Sequence, residues 1–294
     1  MTIAPAPPRF VETVGTSSGS CSGGDLLSRL VSPCPRKPPI DRGLAGGLRA
    51  WLEDGIAAVG RTERSGPLVH PPGMESLPVV VRDGATARGA ERARPGAFGV
   101  HELRACLTRV IFRLTIVQGP PRQPFEDALR ALSVTEHGPD FLDALGGLRP
   151  REQAALRAFA RARTSAIASQ WRPVPAAWLP RTAERLRVPL GGGSVELSAS
   201  ADLVVDRPSD GTPYDGTPSV CLLRVLDERH GPSGAVRAVR ARRALALIET
   251  LRGGAPPWRV ATYDPRTRRL DDDEVSHDLL VAAVHDVLCA LGRP

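Results

Sequence analysis

Two strand-like segments between Val195 and Leu226 constrain the fold more than any other part of the sequence. In the first, apolar and polar residues alternate with the period of a half-buried strand. The apolar row is Val195, Leu197, Ala199, Ala201 and Leu203, and the polar row is Glu196, Ser198, Ser200 and Asp202. The second segment, Ser219 to Leu226, is apolar except for Arg224, as is typical of a central strand covered on both faces. Together they predict a sheet in which Asp202 lies beside a central strand.

The surrounding sequence predicts an α/β protein with three regions. Residues 1–42 are rich in Pro, Gly and Ser and are expected to be a disordered tail, with one helical turn capped by Asp25. Residues 43–177 are expected to be mainly helical, with a flexible Arg/Gly/Pro-rich linker at 60–96 that contains a short edge strand. Residues 178–294 are expected to form the sheet, with a crossover helix at 235–252 and a final helix that opens at Asp271–Glu274.

The chain has a net positive charge, and the excess of basic residues lies before Arg181. There are 39 Lys and Arg residues against 32 Asp and Glu, a formal net charge of +7. From Arg181 to the end there are 16 residues of each sign, so a nucleic-acid contact is expected to involve the residues before Arg181. Lys37 is the single lysine, and this arginine-for-lysine bias is also what GC-rich coding produces.

The cysteines and the apolar runs indicate a cytoplasmic protein that does not cross a membrane. The cysteines are odd in number and contain no CxxC pair, which argues against a zinc site, an iron–sulfur cluster or a disulfide framework. They are Cys21, Cys34, Cys106, Cys221 and Cys289. The best apolar run, Ala105 to Val117, is interrupted by Arg109 and Arg113, so we expect no membrane span.

Three successive segments of the chain resemble, in their order, the PD-(D/E)XK nuclease superfamily, RecB-type branch. They are the stretch Gly-Gly-Gly-Ser-Val-Glu-Leu-Ser-Ala-Ser-Ala-Asp-Leu-Val-Val at 191–205, the apolar strand at 219–226, and the helix Arg-Arg-Ala-Leu-Ala-Leu-Ile-Glu-Thr-Leu-Arg at 242–252. The resemblance is one of layout over roughly residues 178–291, and Asp202 is its matching charged residue. It implies a restriction-endonuclease-like mixed sheet flanked by helices.

The resemblance also implies a metal site that this sequence has lost. The family places an acid on one strand and an acid-apolar-lysine triplet on the next, so that two carboxylates bind Mg²⁺ and the lysine orients or deprotonates the attacking water. When this pattern is placed on residues 222–226, Leu-Leu-Arg-Val-Leu, Arg224 stands at the position of the family's second acid and Leu226 at the position of its lysine. On the crossover helix, Arg242 or Arg243 and then Leu247 stand where the family has a glutamine-like residue and a tyrosine.

If the acid-apolar-lysine pattern is instead shifted to residues 227–229, a candidate active site is kept. It uses Asp202 and Asp227 as Mg²⁺ ligands, with Arg229 in place of the lysine, as the catalytic set of a metal-dependent deoxyribonuclease. The middle residue, Glu228, is then charged where the family has an apolar one. Arginine stays protonated and cannot act as a general base, although it can orient a phosphate.

Other acidic residues are weaker candidates. Glu102 or Glu152 would correspond to the glutamate that some family members take from an early helix. Glu196 shares the polar row with Asp202 but lies six residues away, roughly 20 Å along a strand, too far to share one metal ion. The acidic run Asp271–Glu274 is interpreted as a helix N-terminus that complements the helix dipole.

A basic helix predicted at 150–171 is the candidate nucleic-acid surface. Its arginines are expected to contact phosphates together with two from the crossover helix, and the full set is Arg151, Arg157, Arg161, Arg163, Arg242 and Arg243. The alternative interpretation is a solvated arginine face. The one aromatic residue among the arginines of this helix, Phe159, is assigned to its inner side, so base stacking is not expected.

Three hypotheses follow from the sequence. The first is a nuclease-fold protein that has lost catalysis and binds DNA or a DNA-processing protein. The second is an active nuclease that uses Asp202, Asp227 and Arg229 with Mg²⁺. The third is an unrelated α/β interaction module with the same layout.

Overall fold

The computed structural model describes residues 25–31, 43–62, 79–81, 99–135, 138–207, 219–226 and 234–291. The helices within these ranges are α1 (Leu26–Val31), α2 (Leu44–Thr62), α3 (Val100–Gln118), α4 (Pro124–Ser133), α5 (Gly138–Gly146), α6 (Pro150–Ala168), α7 (Gly234–Gly253) and α8 (His277–Ala290). The strands are β1 (Val79–Val81), β2 (Arg181–Leu190), β3 (Val195–Arg207), β4 (Ser219–Val225), β5 (Arg259–Asp264) and β6 (Arg269–Glu274).

The six strands form one mixed sheet in the order β1-β3-β4-β5-β6, with β2 on the other edge of β3. β3 runs antiparallel to β1, β2 and β4. β4 and β5 are parallel and are joined through α7, and β6 returns antiparallel to β5. The predicted α/β class, a mixed sheet flanked by helices, is therefore confirmed.

The central strand separates two hydrophobic cores. Cys221, Leu223 and Val225 of β4 pack with residues of α1 and α3 to α6, and Val220 and Leu222 pack with α2, α7 and α8. Burying each large apolar side chain stabilises the fold by about 1.5–3 kcal/mol. Helices α1 and α3 to α6 thus form one layer on the sheet, and α2 joins α7 and α8 in the other.

Helix α1 corrects the interpretation of residues 1–42 as a tail. Its residues Leu27, Leu30 and Val31 are buried in the α3–α6 core. Asp25 caps the helix as predicted, because its Oδ1 accepts a hydrogen bond from the backbone N–H of Leu27 at 3.1 Å. Arg259 of β5 donates from Nη1 to the carbonyl of Arg29 at 2.7 Å, which anchors the end of the helix. The rest of the predicted tail lies outside the described residues.

The prediction that the acidic run Asp271–Glu274 begins the final helix is wrong. Asp271–Glu274 belongs to β6, and α8 begins at His277 after the N-cap Ser276, whose Oγ accepts from the backbone N–H of Leu279 at 3.2 Å. The run forms a strand because arginines from other elements neutralise it. Asp272 lies 3.1 Å from Arg29 and 3.4 Å from Arg259.

Replacing Leu30 by alanine tests whether α1 belongs to the core. Leu30 has no exposed surface, so truncation leaves a cavity and is expected to cost about 2–5 kcal/mol of unfolding free energy. Urea denaturation of the full chain measures it, with Ser28→Ala on the exposed side of α1 as the control, expected within about 0.5 kcal/mol of wild type. A Leu30→Ala protein as stable as the control would show that α1 does not pack on the core.

Candidate functional site

The candidate site lies where β4 separates from β3, a place we call the fork. On the same edge of β3, residues 203–207 pair with β4 and residues 195–197 pair with β1. Between them, residues 198–202 have no strand partner on that edge among the described parts of the chain. Asp202 is the first residue of this gap, next to the last bridged pair, Leu203 and Leu223.

Both carboxylate oxygens of Asp202 are occupied by donors. The residue is 2% exposed. Its Oδ1 accepts a hydrogen bond from Nη2 of Arg113 on α3 at 2.6 Å, and its Oδ2 accepts from the backbone N–H of Val225 on β4 at 2.8 Å. Such charge-assisted hydrogen bonds are about twice as strong as neutral ones. The carboxylate therefore ties α3 to the sheet and pairs with the backbone of β4 where the ladder ends.

The alternation of β3 changes at Asp202, which corrects one predicted side-chain direction. Val195, Leu197, Ala199 and Ala201 lie in the core with α7 and α8, as one row. Leu203, predicted to continue that row, lies in the opposite core with α3 and α6. On β2, the residue opposite Asp202 by register is Ala183, which adopts a left-handed backbone with φ 59°. The strand thus shifts its pattern where it accommodates a buried ion pair.

The two positions expected to be degenerate lie beside Asp202. Continuing the β3–β4 register by one residue brings the backbone of Arg224 beside that of Asp202. The Arg224 side chain, like that of its β5 partner Thr262, lies on the α7 face of the sheet, whereas Asp202 binds Arg113 on the α3 face. Leu226 follows β4 directly, and its backbone N–H donates to the carbonyl of Tyr263 at 2.9 Å. The structure therefore brings Asp202 next to the strand that carries Arg224 and Leu226. Asp227 and Arg229, the residues of the shifted placement, lie outside the described residues.

The candidate glutamates do not join Asp202. Glu102 is on α3, eleven residues before Arg113, which corresponds to about 16 Å along the helix axis. Glu152 is at the start of α6, where its Oε2 accepts from the backbone N–H of Arg149 at 3.0 Å and its Oε1 from the Arg149 guanidinium at 2.9 Å. These hydrogen bonds lower the pKa of Glu152 from its usual range. Glu152 is therefore a helix cap.

The two crossover-helix arginines of the predicted DNA surface have internal partners. Arg242 is 7% exposed; its Nη1 donates to Oγ1 of Thr262 at 2.8 Å and its Nε to Oδ2 of Asp273 at 2.5 Å. Arg243 donates from Nη1 to Oδ2 of Asp286 on α8 at 3.1 Å. These contacts give both side chains a structural role, so we leave them out of the proposed DNA surface.

The arginines of α6 divide into exposed and anchored residues. Arg151 and Arg161 are exposed and make no ion pair with another described residue. Arg157 is also exposed; it lies 3.7 Å from Glu126, with Cζ 5.1 Å from the Phe125 ring centroid. Arg163 is half-buried and donates to the carbonyl of Pro265. The exposed face of α6 thus carries three of the four predicted phosphate contacts.

Arg113 is the site residue that sequence reasoning missed. It appears in the sequence only as a charge that interrupts the apolar run 105–117. The signal was present, since an arginine in an apolar helix and a lone aspartate in an apolar strand each need a buried partner. Nothing local in the sequence shows that these two residues, 89 positions apart, are each other's partner.

The described residues at the fork do not fit Mg²⁺. Both oxygens of Asp202 already accept hydrogen bonds, position 224 carries an arginine in place of a second acid, and Leu226 is apolar. Within the described ranges, no group of three or more His, Cys, Asp and Glu side chains is arranged to hold a metal ion. Within the same ranges, no helix has the length and apolar character needed to span a bilayer.

Comparisons of the chain with protein-family models, with curated proteins and with solved structures give no match. The nuclease kinship expected from the layout of the strands therefore stays a prediction. The geometry of the fork and of the exposed arginines is what bears on function.

Replacing Arg113 tests whether the ion pair holds the fork. Arg113→Met leaves a carboxylate buried without its charge partner, which is expected to cost about 3–5 kcal/mol of unfolding free energy. The double variant Arg113→Met with Asp202→Asn is expected to lose less than the sum of the two single variants, by about 1 kcal/mol or more. Chemical denaturation measures all three proteins. Strict additivity would show that Arg113 and Asp202 do not interact energetically.

Proposed function

We propose that this protein has a PD-(D/E)XK nuclease fold of the RecB type, has lost cleavage, and acts by binding double-stranded DNA. The observation that carries the proposal is the pairing of Asp202 with Arg113 at the fork. The Arg113 guanidinium occupies the carboxylate that the family would use for a metal ion, and the next strand carries Arg224 where the family has its second acid.

Arginines in place of the metal ion and the second acid remove cleavage but keep the attraction for an anion. Metal-dependent hydrolysis needs carboxylate oxygens with free lone pairs and a group that activates water. Arg113 and the backbone N–H of Val225 each donate a hydrogen bond to one oxygen of Asp202, and arginine cannot accept a proton at physiological pH. Positive charge near the fork still favours a phosphate backbone.

The layout of the sheet supports the kinship. The resemblance implies an acid on one strand and the remaining site positions on the next, and Asp202 on β3 indeed lies beside Arg224 on β4. The crossover helix α7 then leads to β5, which is parallel to β4. Where the family has a glutamine-like residue on this helix, Arg242 stands instead, and its guanidinium binds Thr262 of β5 and Asp273 of β6.

The exposed face of α6 supplies a surface for the phosphate backbone. Arg151, Arg157 and Arg161 project from one long helix, and contacts of this kind are independent of base sequence and sensitive to salt. We place this activity in the cytoplasm, in keeping with the odd number of cysteines and the absence of a CxxC pair in the sequence.

Binding without cleavage is the predicted behaviour of the purified full chain. A fluorescein-labelled 20-base-pair duplex is expected to bind, with affinity that falls as NaCl rises by a log–log slope of about −0.9 for each phosphate contacted. Supercoiled plasmid incubated with Mg²⁺ or Mn²⁺ is expected to stay intact. Anisotropy titration and gel electrophoresis measure these outcomes.

The other hypotheses correspond to other outcomes of this experiment. Metal-dependent cleavage that Asp202→Asn abolishes would identify an active nuclease and overturn the proposal. Neither binding nor cleavage would leave a protein-interaction module, with a DNA-processing protein or another protein as its partner.

A further inference from the structure

A second polar surface lies on β2 and β3, beyond the fork. We call it the arm face and define it by Arg185, Arg187, Ser198 and Ser200. The opposite face of these strands is buried against α2, α7 and α8 through Leu186, Val188, Leu190, Val195, Leu197 and Ala199. On the arm face, Arg185, Arg187 and Ser200 are exposed and Ser198 is half-buried. The described helices therefore cover only one side of this part of the sheet.

The arm face contains the same cross-strand pair, an arginine opposite a serine, twice. Arg187 is directly opposite Ser198, and Arg185 is directly opposite Ser200. Opposite residues lie about 5 Å apart between Cβ atoms, and successive residues on one face of a strand are about 7 Å apart. Two guanidinium groups and two hydroxyl groups are thus held in a regular pattern on a rigid sheet.

The charges around the arm face leave it positive. Arg185 makes no ion pair with another described residue. Arg187 is 46% exposed, and its Nε lies 3.8 Å from Oε1 of Glu196. The other acid of this polar row, Asp202, is buried and paired with Arg113. Glu184 is turned to the other side, where it pairs with Arg252 of α7 at 3.0 Å.

We propose that the arm face binds the phosphate backbone of double-stranded DNA. This inference rests on the DNA binding proposed above and assigns it a second contact surface. Arginine and serine side chains are among the usual donors to phosphate oxygens. The face carries no aromatic or large aliphatic side chain, so it lacks the anchors on which protein interfaces depend and the rings on which single-stranded bases stack.

The test compares variants of the full chain that change the same number of charges in different places. Arg185→Gln with Arg187→Gln is expected to bind the 20-base-pair duplex about tenfold more weakly, with a log–log salt slope smaller by about 2, because two phosphate contacts are lost. The control is Arg130→Gln with Arg266→Gln, whose side chains are 77% and 57% exposed elsewhere on the surface. This control is expected to bind within about twofold of wild type.

A third variant is expected to move the affinity in the opposite direction. Glu196→Gln removes the acid beside Arg187 and frees its guanidinium, so binding is expected to tighten by about two- to threefold. Because the altered side chains of the arm and control variants are exposed, these proteins are expected to keep the thermal midpoint of wild type, which melting curves check.

The outcomes separate this inference from the proposed function. If wild type binds the duplex and the arm variant binds as tightly as the control, the arm face makes no contact, while DNA binding stands. If wild type binds no duplex at any salt concentration, the proposed function fails and the arm inference fails with it. A loss confined to the arm variant, with a gain in Glu196→Gln, supports the assignment.

Discussion

The buried pair of Arg113 and Asp202 is the interaction on which the arrangement of the sheet and its helices depends. Moving the two charges out of water is costly, and their attraction offsets the cost only with good geometry and further hydrogen bonds. Asp202 accepts one hydrogen bond on each oxygen, from the Arg113 guanidinium and from the backbone N–H of Val225, while Arg113 Nε is buried without a hydrogen-bond partner among the described residues. One carboxylate thus positions α3 over the sheet and fixes the point where β4 leaves β3. The same contacts engage the carboxylate oxygens that a metal ion would need.

Arginine side chains also form ion pairs that connect separate elements elsewhere in the chain. Arg242 of α7 pairs with Asp273, and Arg259 of β5 pairs with Asp272 while holding the carbonyl of Arg29. With a single lysine, the chain relies on the planar guanidinium, which donates several hydrogen bonds at once. The acidic run Asp271–Glu274 becomes a strand for this reason, since each of its acids has an arginine within reach. Its composition favours a helix start, but its long-range partners determine its structure.

Local periodicity predicted the sheet well, and long-range pairing explains what it missed. The alternation from Val195 and the apolar run from Ser219 gave β3 and β4 nearly to their ends, because a period of two residues is a property of the segment itself. The docking of α1 depends on Arg259, 230 residues away, and the shift at Asp202 depends on Arg113, 89 residues away. At the site, the strand that carries position 224 was predicted beside Asp202, but the pairing of Asp202 with Arg113 was not. A single sequence contains the two charges without indicating that they meet.

Losing a metal centre and keeping a DNA surface are compatible because the two depend on different kinds of residue. A metal ion needs at least two carboxylates within one coordination sphere, so a single change such as arginine at position 224 removes it. Phosphate contacts are spread over exposed side chains, each contributing a modest and additive share. The arginines of α6 and those of the arm face lie on rigid elements outside the fork, and none of them takes part in the Asp202 network. On our proposal, the fork became a structural joint while the surrounding arginines kept their affinity for the DNA backbone.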